Sequence, residues 1–214
     1  GSWMVPKGWL DNGEWDKVQV VEAATVAGAR LEQRNLAEIA RDGGKDPLDA
    51  MLDLAIAEDL KTVFTAQLLN SDEAAVGRML NHPYSLVSLS DAGAHLTFFN
   101  DAGFGLHLLG HWSRDLGVMP MGEAVRRLTR QPAGIFGLPD RGLLREGYAA
   151  DLLLFDPRTV ARGPKRRVFD LPGGAARLTT DAVGVHGVWV NGQRVADANG
   201  PLDAAPLAGA LLTD

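Results

Sequence analysis

With 214 residues, 46% apolar and 22% charged, and a net charge of −6, the chain has ordinary globular composition and room for one large domain or two small ones. The acidic balance excludes nucleic acid as the expected partner, and the dense basic cluster Pro164-Lys165-Arg166-Arg167 reads as a solvated loop. The absence of cysteine excludes a disulfide frame and thiolate metal sites and fits a cytoplasmic location; no run approaches the ~20 apolar residues of a membrane span.

Residues 1–16 scatter Trp3, Trp9 and Trp15 among Gly and Pro without period, an irregular segment. Val18-Gln19-Val20-Val21 reads as a strand. Asn35, with Glu38 at capping-box spacing, opens a helix. Asp46-Pro47 opens another, with Asp as N-cap and Pro at the first helical position; Leu48, Met51, Leu52, Ala55 and Ile56 line one face of it. Thr62–Ala66 is a second strand, and Asn70 with Glu73 predicts a helix through Val76, Met79 and Leu80.

The apolar run Ser85-Leu86-Val87-Ser88-Leu89 predicts a buried strand, closed by Ser90-Asp91-Ala92-Gly93-Ala94-His95. A carboxylate at a strand's C-terminal tip is where an α/β barrel places catalytic groups. A helix from about Phe104 to Arg114 follows, then one from Met121 that Pro132 interrupts or ends. Strands alternating with helices predict a parallel sheet with helices outside, but three strands are too few to close a barrel of about eight.

After residue 140 the character changes. Ala150–Phe155 reads as a strand, and Val185–Val190, Asn191-Gly192 and Gln193–Val195 as a hairpin with a two-residue turn. The expected organisation is therefore a partial (β/α) barrel over 1–140, a small β module over 141–195 and an irregular tail over 196–214.

Three stretches carry a family resemblance: Leu89–His95; Ala124–Ala133 with Ile135-Phe136-Gly137-Leu138; and Gly142–Gly147 with Ala149–Leu152 and Val188–Gly192. In their order and spacing the chain resembles the C-terminal part of the amidohydrolase superfamily, most closely its D-aminoacylase-like branch of N-acyl-D-amino-acid deacylases. The resemblance implies an α/β fold, the last portion of a metal-dependent (β/α)8 barrel followed by a small β-sandwich module. It implies hydrolysis of an amide C–N bond in a small N-acyl substrate, with one or two zinc ions in the intact enzyme.

Asp91 would be the proton shuttle between water and leaving nitrogen, and the one metal ligand in this stretch. His95, Arg177 and Ser90 are the candidate substrate-binding residues. The family's His-x-His pair does not occur; the histidines are His82, His95, His107, His111 and His186. A catalytic zinc takes about three protein ligands, so the chain alone is expected to be inactive and to hold no zinc. His107 and His111 have i, i+4 spacing, but Leu108 stands where a zincin glutamate would, and Trp112 marks a half-buried packing helix. The open alternatives are a non-catalytic remnant acting in binding or assembly, and the same scaffold acting on a cyclic amide or as a decarboxylase. Open strand edges predict a homo-oligomer or association with a missing N-terminal part.

Overall fold

Strand β1 (Val18–Glu22) pairs with β2 (Val63–Ala66) in antiparallel register, Val18 opposite Ala66 and Val20 opposite Phe64. This is a computed structural model, describing residues 13–66, 70–90, 92–94, 96–97 and 100–212. The parallel pairing expected from strand–helix alternation is therefore corrected. Alternation fixes which segments are strands but not their direction, and here the three helices between β1 and β2 bring the chain back antiparallel.

The chain divides into two compact units, Gly1–Val76 and Gly77–Asp214. In the first, α1 (Val26–Ala29), α2 (Leu36–Gly43) and α3 (Pro47–Ala57) lie between the two strands. The predicted caps are in place: Asn35 accepts from the Glu38 N–H, and Asp46 from the Leu48 N–H with Pro47 at the first helical position. Gly44, left-handed at φ 61°, ends α2. Val20 and Leu36, both fully buried, join Val18 and Ala40 in this unit's core.

The second unit includes most of α4 (Glu73–Asn81). Its N-cap is Asp72, which accepts from the Ala75 N–H at 3.0 Å, not Asn70 as the Glu73 spacing suggested. Asn70 instead takes a positive φ of 54°.

The predicted strand over 85–90 does not form; the segment is irregular. A strand exists only when another strand accepts its ladder, and this segment's Ser85 carbonyl is taken by side chains instead. Gln131 Nε2 donates to it at 3.0 Å and Arg127 Nη1 at 3.4 Å.

The predicted helix over 104–114 forms as α5 (Phe104–His107), continued by a π-helical stretch, Leu108–Asp115. Then come α6 (Met121–Leu128) and α7 (Arg130–Ile135), separated by a break at Thr129; Pro132 sits in the first turn of α7, where its missing N–H costs nothing. Leu108, Leu109, Met119, Ala124 and Val160 form the core of this unit.

Among the described residues every strand pairing is antiparallel. Strands β3 (Leu152–Phe155), β6 (Val185–Val190), β7 (Gln193–Asp197) and β8 (Gly200–Pro201) form one sheet in the order β3-β6-β7-β8. Between β3 and β6 the chain makes a long hairpin, β4 (Ala161–Leu171) and β5 (Ala175–Val183), turning at Pro172–Gly174. The basic cluster read as a loop lies on β4. Pro164 sits where the register shifts between Arg162 and Lys165, the kind of irregularity at which a strand tolerates proline. The fold class is thus α/β, with no closed barrel among the described residues.

Candidate functional site

The segment around Ser90 is held from both sides. On its N-terminal side the anchor is Arg127 of α6, only 4% exposed. Its guanidinium donates to the carbonyls of Asn81 (3.1 Å), His82 (3.3 Å) and Ser85 (3.4 Å), and to Glu123 at 2.8 Å. Glu123 also takes both hydrogen bonds of a bidentate contact with Arg126, at 2.7 and 2.8 Å. Arg126 first, then Arg127, pulls the Glu123 carboxyl from 4.5 to about 2.

Ser90 itself accepts from the Ala92 N–H at 3.2 Å, a side-chain-closed turn, and Gly93 just after it takes φ 96°. Its hydroxyl is therefore a turn-forming group. Asp91 and His95 lie outside the described residues.

On the C-terminal side the chain meets the β4–β5 hairpin. The Leu178 N–H donates to the Leu96 carbonyl at 2.8 Å, and Arg167 Nη1 to the Thr97 carbonyl at 2.8 Å. Asn100, 8% exposed, donates to the Leu178 carbonyl at 3.1 Å and accepts from the Ala102 N–H at 3.0 Å. Asp101 pairs with Arg162 at 3.1 Å and Lys165 at 3.0 Å. None of these hairpin contacts was foreseen. An available signal was Asn100-Asp101 ahead of the helix at Phe104, a turn-forming pair with side chains able to reach elsewhere.

Arg177 lies on β5, its guanidinium bidentate to Asp170 across the hairpin, both hydrogen bonds at 2.7 Å. That pairing holds the Asp170 carboxyl below, and the Arg177 guanidinium above, their ordinary values.

His107 and His111 stack, ring centroids 4.7 Å apart and planes within 10°, with the edge of Trp112 against both. Among the described residues no group of three or more His, Asp or Glu side chains is placed to hold a metal ion. The described residues alone thus supply no complete ligand set, and Asp91, the ligand that the resemblance implies, lies outside them. An open hollow of about 660 Å³ beside Tyr84, Gln131 and Ile135 includes Arg126 and Glu123, already paired with each other, and none of the predicted site residues. No helix among the described residues is long and apolar enough to cross a membrane.

Comparison with known proteins places these features. The model of the amidohydrolase family matches residues 8–196. A D-aminoacylase from Alcaligenes xylosoxydans xylosoxydans is 35% identical over 167 residues, 77% of this chain and 31% of that protein. An N-acyl-D-glutamate deacylase of the same organism is 32% identical over 163 residues, 74% of this chain and 30% of its own length. The chain thus spans between about a fifth and a third of the length of the curated relatives it matches. Among solved structures, a D-aminoacylase described as defining a novel subset of amidohydrolases matches at TM-score 0.50 and 30% identity, over 87% of this chain and 36% of the other. A D-aminoacylase variant in complex with CuCl2 matches at TM-score 0.53 and 29% identity, over 92% and 38%.

Proposed function

Because this chain belongs to the amidohydrolase family, we propose that it carries the C-terminal part of an enzyme that hydrolyses the amide bond of N-acyl amino acids, as its D-aminoacylase relatives do by name. The observation that carries this reading is the 35% identity to a D-aminoacylase across 77% of the chain. The family match, running from residue 8 to residue 196, supports it.

In this reading Asp91 moves the proton. Its carboxylate takes a proton from water as the water oxygen attacks the acyl carbon, then gives it to the amide nitrogen as the C–N bond breaks. A free amino acid and a carboxylate are released. Asp91 follows Ser90, whose turn with Ala92 lies between the Arg127 anchor and the hairpin. His95, four residues on, and Ser90 are the proposed substrate contacts. Arg177 enters only if substrate displaces Asp170 from its guanidinium. A metal would polarise the acyl carbonyl and acidify the attacking water. The likeness to a D-aminoacylase in complex with CuCl2 supports a metal, zinc by the resemblance. Its ligands are not assigned to the described residues.

The test is amine release from a panel of N-acetyl-D- and N-acetyl-L-amino acids by the gene product that contains this chain, with and without a chelator. D-selective release that the chelator abolishes is expected. Asp91→Asn should lower kcat by about 10²–10⁴-fold. Turnover of L-substrates alone would overturn assignment to this branch, and full activity in Asp91→Asn would overturn the shuttle.

Self-association belongs to the same proposal. Leu48, Leu52, Ile56 and Leu60 lie between 44% and 77% exposed at 4-residue spacing through and beyond α3. Such a stripe supports pairing with another surface. Light scattering at micromolar concentration should give a mass above that of one chain; a clean monomer would overturn this.

A further inference from the structure

We infer that the β4–β5 hairpin is a positioning element for the Ser90–His95 motif, gripping the chain just after it through Leu178, Asn100 and the Arg162–Asp101–Lys165 cluster. This goes beyond the deacylase reading in naming what aligns the motif, and it rests on that reading only where alignment is read out as catalysis.

The grip has three parts of different chemistry. The first is backbone. Leu178 turns both its polar groups to the segment, its N–H to the Leu96 carbonyl (2.8 Å) and its carbonyl to Asn100 Nδ2 (3.1 Å). A β5 residue thus extends the hairpin's hydrogen bonding to one more stretch of chain, at Leu96 and Asn100, five and nine residues past Asp91 in sequence.

The second part is the Asn100 amide. Being 8% exposed, it has little access to water, and each of its two ends is used: Nδ2 on the hairpin, Oδ1 on the Ala102 N–H. It ties the segment to the hairpin and shapes its own turn at once.

The third part is ionic. Asp101 takes cations from two β4 residues, Arg162 at 3.1 Å and Lys165 at 3.0 Å. Arg162 reaches it by lying across Gly103, where an added Cβ would stand 2.4 Å from Arg162 Cγ. The missing side chain at 103 is therefore part of the device. Arg167, register partner of Leu178, adds a hydrogen bond to the Thr97 carbonyl. The Arg127 and Gln131 contacts to the Ser85 carbonyl hold the other flank. The described flanks on both sides of the motif are thus restrained, the kind of support that alignment for proton transfer demands.

The experiment is hydrogen exchange on this chain, read on the peptide spanning 90–97, for Asn100→Ala, Arg162→Gln, Arg162→Lys and Arg166→Gln. Arg166 pairs with Asp181 at 2.8 Å within the hairpin and serves as control. Asn100→Ala and Arg162→Gln should each speed exchange there by about three- to tenfold, the effect of one lost hydrogen bond. Arg162→Lys should restore protection, and Arg166→Gln should leave it unchanged. Should Asn100→Ala fail to fold, the half-exposed Arg162 pair still decides the matter. Unchanged exchange in Arg162→Gln, or an equal effect from Arg166→Gln, would overturn the proposal.

In the active gene product, Arg162→Gln should lower kcat with KM nearly unchanged, and Arg162→Lys should recover it. Faster exchange with unaltered kcat would overturn the positioning role. Absence of activity in the unaltered protein would instead count against the deacylase reading, while exchange still decides the grip.

Discussion

Thr25 Oγ1 donates to Glu58 Oε1 at 2.6 Å, joining the start of α1 to the end of α3. Glu58 is 3% exposed and also accepts from the N–H groups of Ala24 (2.7 Å) and Thr25 (3.1 Å) and the hydroxyl of Thr62 (3.0 Å). Gly28 leaves the space for it, since a Cβ there would stand 1.9 Å from Glu58 Oε1. These donors, the Thr25 hydroxyl first, hold the carboxyl below its ordinary value. A depressed carboxylate stabilises the fold above its unfolded pKa, and that stability is lost as pH falls through the folded value. Glu58→Gln should lower the melting temperature at neutral pH and flatten the acid side of the stability curve. Thermal melts across pH 3–7 check it, and an unchanged acid limb would sink the assignment.

Glu123, held by Arg126 first and then by Arg127, makes a second acid-sensitive lock. With Glu123 drawn from 4.5 to about 2, its contribution is complete above about pH 4.5 and lost as pH falls toward 2. A carboxyl-detected NMR titration should return a value near 2. Arg127→Met should cost about 3 kcal/mol, because it takes the buried guanidinium from Glu123 and removes its hydrogen bonds to the carbonyls of Asn81, His82 and Ser85. Urea unfolding of this variant checks the figure.

Gly110 is where the π-helical stretch touches β4. A Cβ there would stand 2.4 Å from the Val160 carbonyl oxygen, a backbone atom that no rotamer change can move. Arg114 Nη1 donates to the same oxygen at 2.6 Å. Gly110→Ala should destabilise by about 1–3 kcal/mol through overpacking. An equally stable variant in denaturant titration would show that the helix and β4 separate easily.

The hairpin turn at Asn191-Gly192 has φ 47° and 79°, the left-handed pair of a type I′ turn. Asn191 also accepts from Arg141 and donates to the Ala208 carbonyl, while the Gly192 N–H donates to the Ala150 carbonyl. Gly192→Ala should cost about 1 kcal/mol from strain at positive φ. Asn191→Val should cost more, since it adds β-branching and removes both side-chain hydrogen bonds. Differential scanning calorimetry of the two variants gives the comparison.

The parts legible in the residues were those whose cause is local. Asn35 and Asp46 cap their helices through atoms two or three residues away. Asn191-Gly192 turns because of its own backbone preferences. The candidate site was legible as a motif and not as a place: Ser90 was found, its role as a turn hydroxyl was not. The hairpin was missed because Gly163, Pro164 and three successive cations disguise β4 as a loop. Those charges are tolerated because partners across the hairpin and beyond it answer them: Asp181 for Arg166, Asp101 for Lys165.

By itself the sequence determined the starts of α2 and α3, the β6–β7 turn and membership of the amidohydrolase family, all written in short-range chemistry or in linear motifs. Only the tertiary structure decided that 85–90 forms no strand, that β1 and β2 run antiparallel and that Arg177 answers Asp170. Each of these depends on which distant group accepts a hydrogen bond or a charge. A backbone amide or a guanidinium is satisfied equally well by many partners, and only packing selects among them.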